Sequence, residues 1–240
     1  MLTFSIVIPT SNEEDELPKL LASVKTQTIR PERLVVADAF STDRTRELAE
    51  SWGALVVDGG MPGVGRNRGA EHVSSDLIVF LDADVILREP DFLERMVREM
   101  DERRIDLGTV DVLPESGKRL DRLFHAFYNR YVRLLERVHP HAPGFCMVVR
   151  RHVHEAVGGF DETVTFCEDH DYALRVSRAG YTFRFLSLGI PTSTRRLERD
   201  GHLSIAVKYI LAEFHLWVLG PIRHRWFNYT FGHKKDKDLV

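Results

Sequence analysis

Four short apolar runs rich in β-branched residues, at residues 3–9, 33–38, 54–57 and 77–81, alternate with segments of helical character, and this alternation constrains the fold more than any other feature. The first run, TFSIVIP, shows no polar alternation, which suits a strand buried on both faces and ended by Pro9. Residues 15–27 then carry Leu17, Leu20, Leu21 and Val24 at helical spacing, one stripe to pack on a sheet. The spacing predicts a second helix over 42–52, and a glycine-rich turn leads into a third that ends near 72. Units in this order specify a parallel sheet with right-handed crossovers, whose ligands gather at the carboxyl ends of the strands. Residues just after Pro9, Val36 and Leu81 are therefore the first candidates for a site.

Beyond residue 104 the pattern changes to a strand at 107–113, a long amphipathic helix at 118–138, a short strand at 147–150 and a helix at 168–179. No internal repeat or low-complexity tract interrupts it. With 240 residues, 43% hydrophobic and 29% charged, the chain has the profile of a soluble globular protein with one sizeable core. A net charge of -3 argues against a nucleic-acid partner, although the acidic first ninety residues contrast with a basic tail suited either to anionic lipid or to solvent. No basic leader precedes the first strand, so a cytoplasmic location is expected. Cys146 and Cys167 are read as reduced thiols without chemistry.

Three clusters carry candidate chemistry. Asp82-Ala83-Asp84 follows a buried-type run directly, and carboxylates at i and i+2 on one face repel unless a proton or a hard cation such as Mg²⁺ or Mn²⁺ sits between them. Gly63-Val64-Gly65-Arg66-Asn67-Arg68-Gly69 offers N–H donors and a cation ahead of a helix, with Arg66 as phosphate contact. Its GxGxxxG spacing departs from the dinucleotide fingerprint, and a tight turn explains the glycines equally well. In Cys167-Glu168-Asp169-His170-Asp171, three acids in four residues exceed what helix capping needs, and Asp169 or Glu168 suits a general base toward a hydroxyl. Asp38, ending the second strand, is placed to accept from a nucleobase, while Ser41, Thr42 and Asp43 suit caps.

Taken in order, IVIPTSNEE, VVADAFSTDRT, GRNRGA, VFLDADV, GGFDE and EDHDYALRV resemble the family 2 glycosyltransferases of the GT-A fold, over roughly residues 3–186. The resemblance implies an α/β, mostly parallel sheet flanked by helices, with a nucleotide-sugar half at 1–104, an acceptor half at 105–200 and an amphipathic segment at 201–240. It implies a UDP- or GDP-sugar donor, with Pro9, Ser11, Glu13 and Asp38 around the base, Arg66 near the diphosphate, Asp82 and Ala83 at the ribose, and Asp82 and Asp84 on the metal. Inversion at the anomeric carbon follows, with Asp169 deprotonating the acceptor and Glu168 beside it. If the acceptor is a phosphate, no base is needed and Asp169 positions it. The sequence departs from the family at Asp38-Ala39, where paired acids are usual, at Phe40, where Gly is common, and at Ser11, where an aromatic is frequent; the choice among donors stays open.

Two amphipathic stretches remain. Residues 118–138 set Leu120, Leu123, Phe124, Phe127 and Tyr131 beside Arg119, Arg122 and Arg130, and residues 203–222 are strongly apolar yet interrupted by Lys208, Glu213 and His215. Both read either as packed helices or as a surface resting on the cytoplasmic membrane to admit a lipid-linked acceptor. His202 is a further metal-ligand candidate or a plain surface histidine. The rival function is a phosphatase of the haloacid dehalogenase type with Asp82 as nucleophile, although three strands precede a motif that such enzymes place at the first. A non-catalytic nucleotide-binding module is the third possibility.

Overall fold

The computed structural model describes residues 2–115, 118–192, 211–212, 215–216 and 218–223. Its elements are β1 (Phe4–Thr10), α1 (Leu17–Lys25), β2 (Leu34–Asp38), α2 (Thr45–Ser51), β3 (Leu55–Asp58), α3 (Pro62–Ala70), β4 (Leu77–Leu81), α4 (Phe92–Glu102), β5 (Leu107–Pro114), α5 (Arg119–Leu135), β6 (Cys146–Arg150), α6 (Arg151–Ala156), α7 (Glu168–Arg178) and β7 (Phe183–Thr192). They build one seven-stranded sheet in the order β3-β2-β1-β4-β6-β5-β7. The pairs β1–β2, β1–β4, β2–β3 and β5–β7 are parallel, whereas β6 runs antiparallel to both β4 and β5. The expected mostly parallel sheet is present, and the reversed β6 brings its first residues to the same edge as the carboxyl ends of the other strands.

Alternation along each strand sorts the core into two layers. Ile6, Ile8, Val36, Leu77, Val79 and Leu81 face α1 and α4. Val7, Val35, Ile78 and Phe80 face the opposite way, against Phe160 and Tyr172. Burial on both faces is why these strands read as unbroken apolar runs.

The glycine-rich segment departs from expectation: it is not a turn ahead of a helix but the helix itself, α3. Its glycines let the helix approach the sheet closely. A Cβ at Gly69 would lie 2.2 Å from Val7 Cγ1, and one at Gly65 3.2 Å from Pro9 Cβ. The second helix also starts later than residue 42, because Asp43 accepts from the backbone N–H of Thr45 and Asn12 Oδ1 accepts from that of Thr42, leaving 42–44 as a loop zipped to β1. Helices α4 and α6 and the sheet's edge strand β7 have no counterpart in the sequence reading.

Candidate active site

Arg66 organises the crevice. Its side chain, 3% exposed, projects from α3 and donates through Nη1 to Glu168 Oε1 at 2.7 Å and through Nη2 to Asp82 Oδ1 at 2.9 Å and the Gly144 carbonyl at 3.2 Å. Burial opposes its charge, yet Asp82 and Glu168 outweigh that and hold the guanidinium above its ordinary pKa. Its Nε is buried with no hydrogen-bond partner among the described residues. One side chain thus ties α3, the end of β4, the approach to β6 and the start of α7, and the group expected at the diphosphate is engaged by the protein's own carboxylates.

The two acids of the DAD motif leave the strand rather than continue it. The chain turns after Leu81, with the Val85 N–H donating to the Asp82 carbonyl, so a turn and not strand periodicity places them. Asp82 is pushed up to about 6, by burial first and by Asp84, with Arg66 pulling the other way. Glu13, at the end of β1, is pushed up to about 8 by burial, then by Asp84 and Asp82. Three carboxylates therefore share one crevice with more negative charge than it tolerates, which is the donor chemistry of a hard divalent cation. Among the described residues no cluster of three His, Cys, Asp or Glu side chains is arranged to hold a metal on its own, so such an ion would draw further ligands from its substrate. Asp84 also lines a small cleft of about 140 Å³ with Glu16, Lys19, Arg88 and Glu115. Ala83, between the two acids, is buried. His202 lies outside the described residues.

Across the crevice, Cys167 adopts a left-handed conformation (φ 58°) and starts α7, putting Glu168 and Asp169 at the positive end of the helix dipole. Glu168 is raised by burial and by Asp169. Asp169 Oδ1 accepts from the His170 N–H at 2.9 Å, while its other oxygen lies against Gly144, where any Cβ would come within 2.6 Å of Oδ2. The third acid, Asp171, pairs with Arg175 at 2.7 Å and is structural.

Asp38 is fully buried, and its oxygens accept from Thr10 Oγ1 at 3.0 Å, Ser41 Oγ at 2.5 Å and the Ser41 N–H at 2.9 Å, with Arg46 at 3.4 Å. Ser41 is thereby a clamp on Asp38 and, through Asn12, on the β1 loop. Pro9 packs under α3, and Ser11 Oγ is buried without a hydrogen-bond partner among the described residues. Phe40, 64% exposed and at φ 55°, stands beside them in a conformation that costs a non-glycine residue about 1–3 kcal/mol.

Sequence reasoning overlooked Gly144 and the histidines around it. The His141 ring stacks on His170 at 4.9 Å and lies 4.8 Å from His139. The only local signal was the glycine in Pro143-Gly144 ahead of a strand. Burial drives His141 down to about 2 and His154 down to about 4. Histidines kept neutral in the fold take up protons on unfolding, so stability is lost as pH falls through their ordinary 6.5, by about 1.4 kcal/mol per pH unit for each proton. The raised carboxyls Glu13, Asp82 and Glu168 release protons on unfolding in the same range and offset this uptake, so the test is a difference: in urea titrations near pH 5, His154→Gln should bind about one proton fewer on unfolding than wild type, and an unchanged pH dependence would contradict this assignment.

The profile described as Glycosyl transferase family 2 matches residues 5–158. Among curated proteins, the 4,4'-diaponeurosporenoate glycosyltransferase of Staphylococcus haemolyticus is 33% identical over 141 residues, 55% of this chain and 35% of the relative. The undecaprenyl-phosphate 4-deoxy-4-formamido-L-arabinose transferase of Klebsiella pneumoniae is 34% identical over 184 residues, 68% of this chain and 53% of the relative. The chain thus spans about half or less of these relatives' length. Among solved structures, the Pyrobaculum calidifontis mannosyltransferase PcManGT in complex with GDP-Man and Mn²⁺ superposes with a TM-score of 0.68 at 20% identity, over 91% of this chain and 71% of that one. Staphylococcus aureus TarS 1-349 in complex with UDP-GlcNAc gives 0.62 at 18%, over 90% and 67%. The sheet and its flanking helices are those of the GT-A fold, and the sequence match across 5–158 places this chain in glycosyl transferase family 2.

Proposed function

We propose that the protein transfers a glycosyl group from a UDP- or GDP-sugar to a lipid-linked acceptor at the cytoplasmic face of a membrane, inverting the anomeric carbon. The observation that carries this is the crevice's division into two sides: Glu13, Asp82 and Asp84 crowd negative charge on one, and Asp169 stands on the other, joined through Arg66. Asp84, with Asp82, would hold Mg²⁺ or Mn²⁺, which supplies neutralisation of the charge that develops on the leaving diphosphate. The curated Klebsiella relative is named for an undecaprenyl-phosphate acceptor, which supports the lipid-linked reading.

This chain's own residues have separate tasks. Residues 1–104 receive the donor: Pro9, Ser11, Glu13 and Asp38 shape the base pocket, the orphan Ser11 hydroxyl offers it a hydrogen bond, and Asp82 and Ala83 meet the ribose. Residues 105–200 receive the acceptor. Toward an acceptor hydroxyl, Asp169 takes the proton as the bond from the anomeric carbon to the diphosphate breaks and the new glycosidic bond forms; toward an acceptor phosphate, which arrives ionised, Asp169 only positions it, and Glu168 and Arg66 brace this side of the crevice. Family membership leaves the phosphatase reading of Asp82 without support.

Thermal denaturation with UDP or GDP, each with and without Mn²⁺, tests the donor side. At about 100-fold excess over Kd the correct pair should raise Tm by about 5–10 °C, and nucleotide without metal by much less. No shift with any nucleotide–metal pair would sink the proposal.

A further inference from the structure

Helix α5 is apolar on two faces. The face it turns toward the protein packs Val132, Tyr128 and Tyr131 on the core and carries buried Asp121 and His125, together with Asn129, whose amide bridges the Val112 N–H and carbonyl at 3.1 and 2.9 Å. The face it turns outward carries Leu120, Leu123, Phe127 and Leu134, each at least 60% exposed, followed by Val138 at 77%. Spacings of 3, 4 and 7 put the first four in one row. The core already has its own apolar face of this helix, and a second apolar row of this size left in water marks a contact surface.

A second row runs alongside it. Arg119, Arg122, Arg130 and Arg137 are exposed on the neighbouring arc. The two acids of this stretch are withdrawn from that face: Asp121 is buried, and Glu136 accepts from the Phe185 N–H at 2.8 Å. The exposed face is therefore apolar and wholly cationic. It also lies toward the mouth of the crevice. Asn129 sits at Val112 and Arg133 at Asp111 and Leu186, so α5 runs antiparallel to β5. Nine residues before Asn129, Leu120 stands about 13 Å further along at 1.5 Å per residue, past the end of β5 at Pro114.

We infer that this face of α5 docks on an anionic lipid bilayer, its apolar row in the acyl boundary and its arginines at the headgroups. Charge complementarity selects this occupant: a protein partner would need an acidic apolar groove, and a second copy would set arginine row against arginine row. Among the described residues no helix is long and apolar enough to cross a membrane, so α5 rests on the surface. Its carboxyl end leads through His139 and His141 to Gly144 against Asp169, so the chain that follows the docked helix reaches the proposed base. The inference rests on the lipid-linked acceptor proposed above and names the surface that would present it.

Flotation of the whole protein with phosphatidylcholine vesicles, with and without about a third phosphatidylglycerol, tests this. Wild type should float with the anionic vesicles. Leu123→Ser with Phe127→Ser should weaken partitioning at least about tenfold, and Arg122→Gln with Arg130→Gln about 30-fold, with loss in high salt. Tm and the nucleotide-induced shift should stay as in wild type, because these side chains are exposed and none of them is among the residues assigned to the donor. Vesicle binding unchanged in both variants, wild type that does not float, a fall in Tm, or a dimer that dissociates in the serine variant would each overturn the inference. A lost nucleotide shift in wild type would instead strike the donor reading, so the two failures are distinguishable.

Discussion

Asp169→Asn is expected to lower transfer to a hydroxyl acceptor by about 10²–10⁴-fold while leaving folding and nucleotide binding intact. The substitution keeps the shape and the acceptor oxygen that takes the His170 N–H at 2.9 Å, and Asn serves a helix start as well as Asp does. What it removes is the basicity of the second oxygen, held against Gly144. The glycine sharpens the test: Gly144→Ala would force a Cβ to within 2.6 Å of that oxygen, so the carboxylate must swing away, and kcat should fall with donor affinity unchanged. Steady-state kinetics with thermal-shift controls reads both. Full turnover in Asp169→Asn would show that the acceptor arrives ionised, as a phosphate does, and that Asp169 only positions it.

Why the sequence disclosed some of this and not the rest follows from the range of the interactions. Leu77–Leu81 is buried on both faces and ends at a crevice, so a local pattern carries both the strand and its exposed acids. The order of units fixed the parallel half of the sheet in the same way. Antiparallel β6 is five residues of ordinary strand composition, and its direction depends on pairing with β4 and β5, which no local signal records. The glycines of α3 misled because helix propensity counts against them, whereas their use is tertiary, the close approach of Gly69 to Val7. The apolar row of α5 was readable, but periodicity gives a stripe without saying which way it points. Asp38 and Arg66 stand out in the sequence as residues, but their pairing does not: the bonds they make come from Thr10, Ser41, Asp82 and Glu168, most of them distant in sequence.

Removing Arg66 should be the most damaging single change to stability. Arg66→Met deletes a buried cation that two carboxylates face, and breaking a buried pair by removing one partner costs about 3–5 kcal/mol because the remaining charge is uncompensated, a cost that falls mainly on Glu168, since Asp82 is 37% exposed and water screens it. The deficit has a predictable sign with pH. Asp82 and Glu168 already sit above their ordinary range, which means that stability is lost as pH rises through the folded pKa. Without the guanidinium both rise further, so the gap between wild type and Arg66→Met should be small near pH 5 and widen toward pH 8 in urea titrations. Arg66→Lys keeps the charge but not the fork that reaches Asp82 and Glu168 at once, and should recover only part of the loss. Adding Glu168→Gln to Arg66→Met should restore stability relative to the single variant, since it removes one of the two stranded charges. If the double variant is instead the sum of its parts, Arg66 and Glu168 are not a coupled pair. The donor and acceptor sides of the crevice would then be held together by packing of α3 on Phe160 and the start of α7 and not by this ion pair.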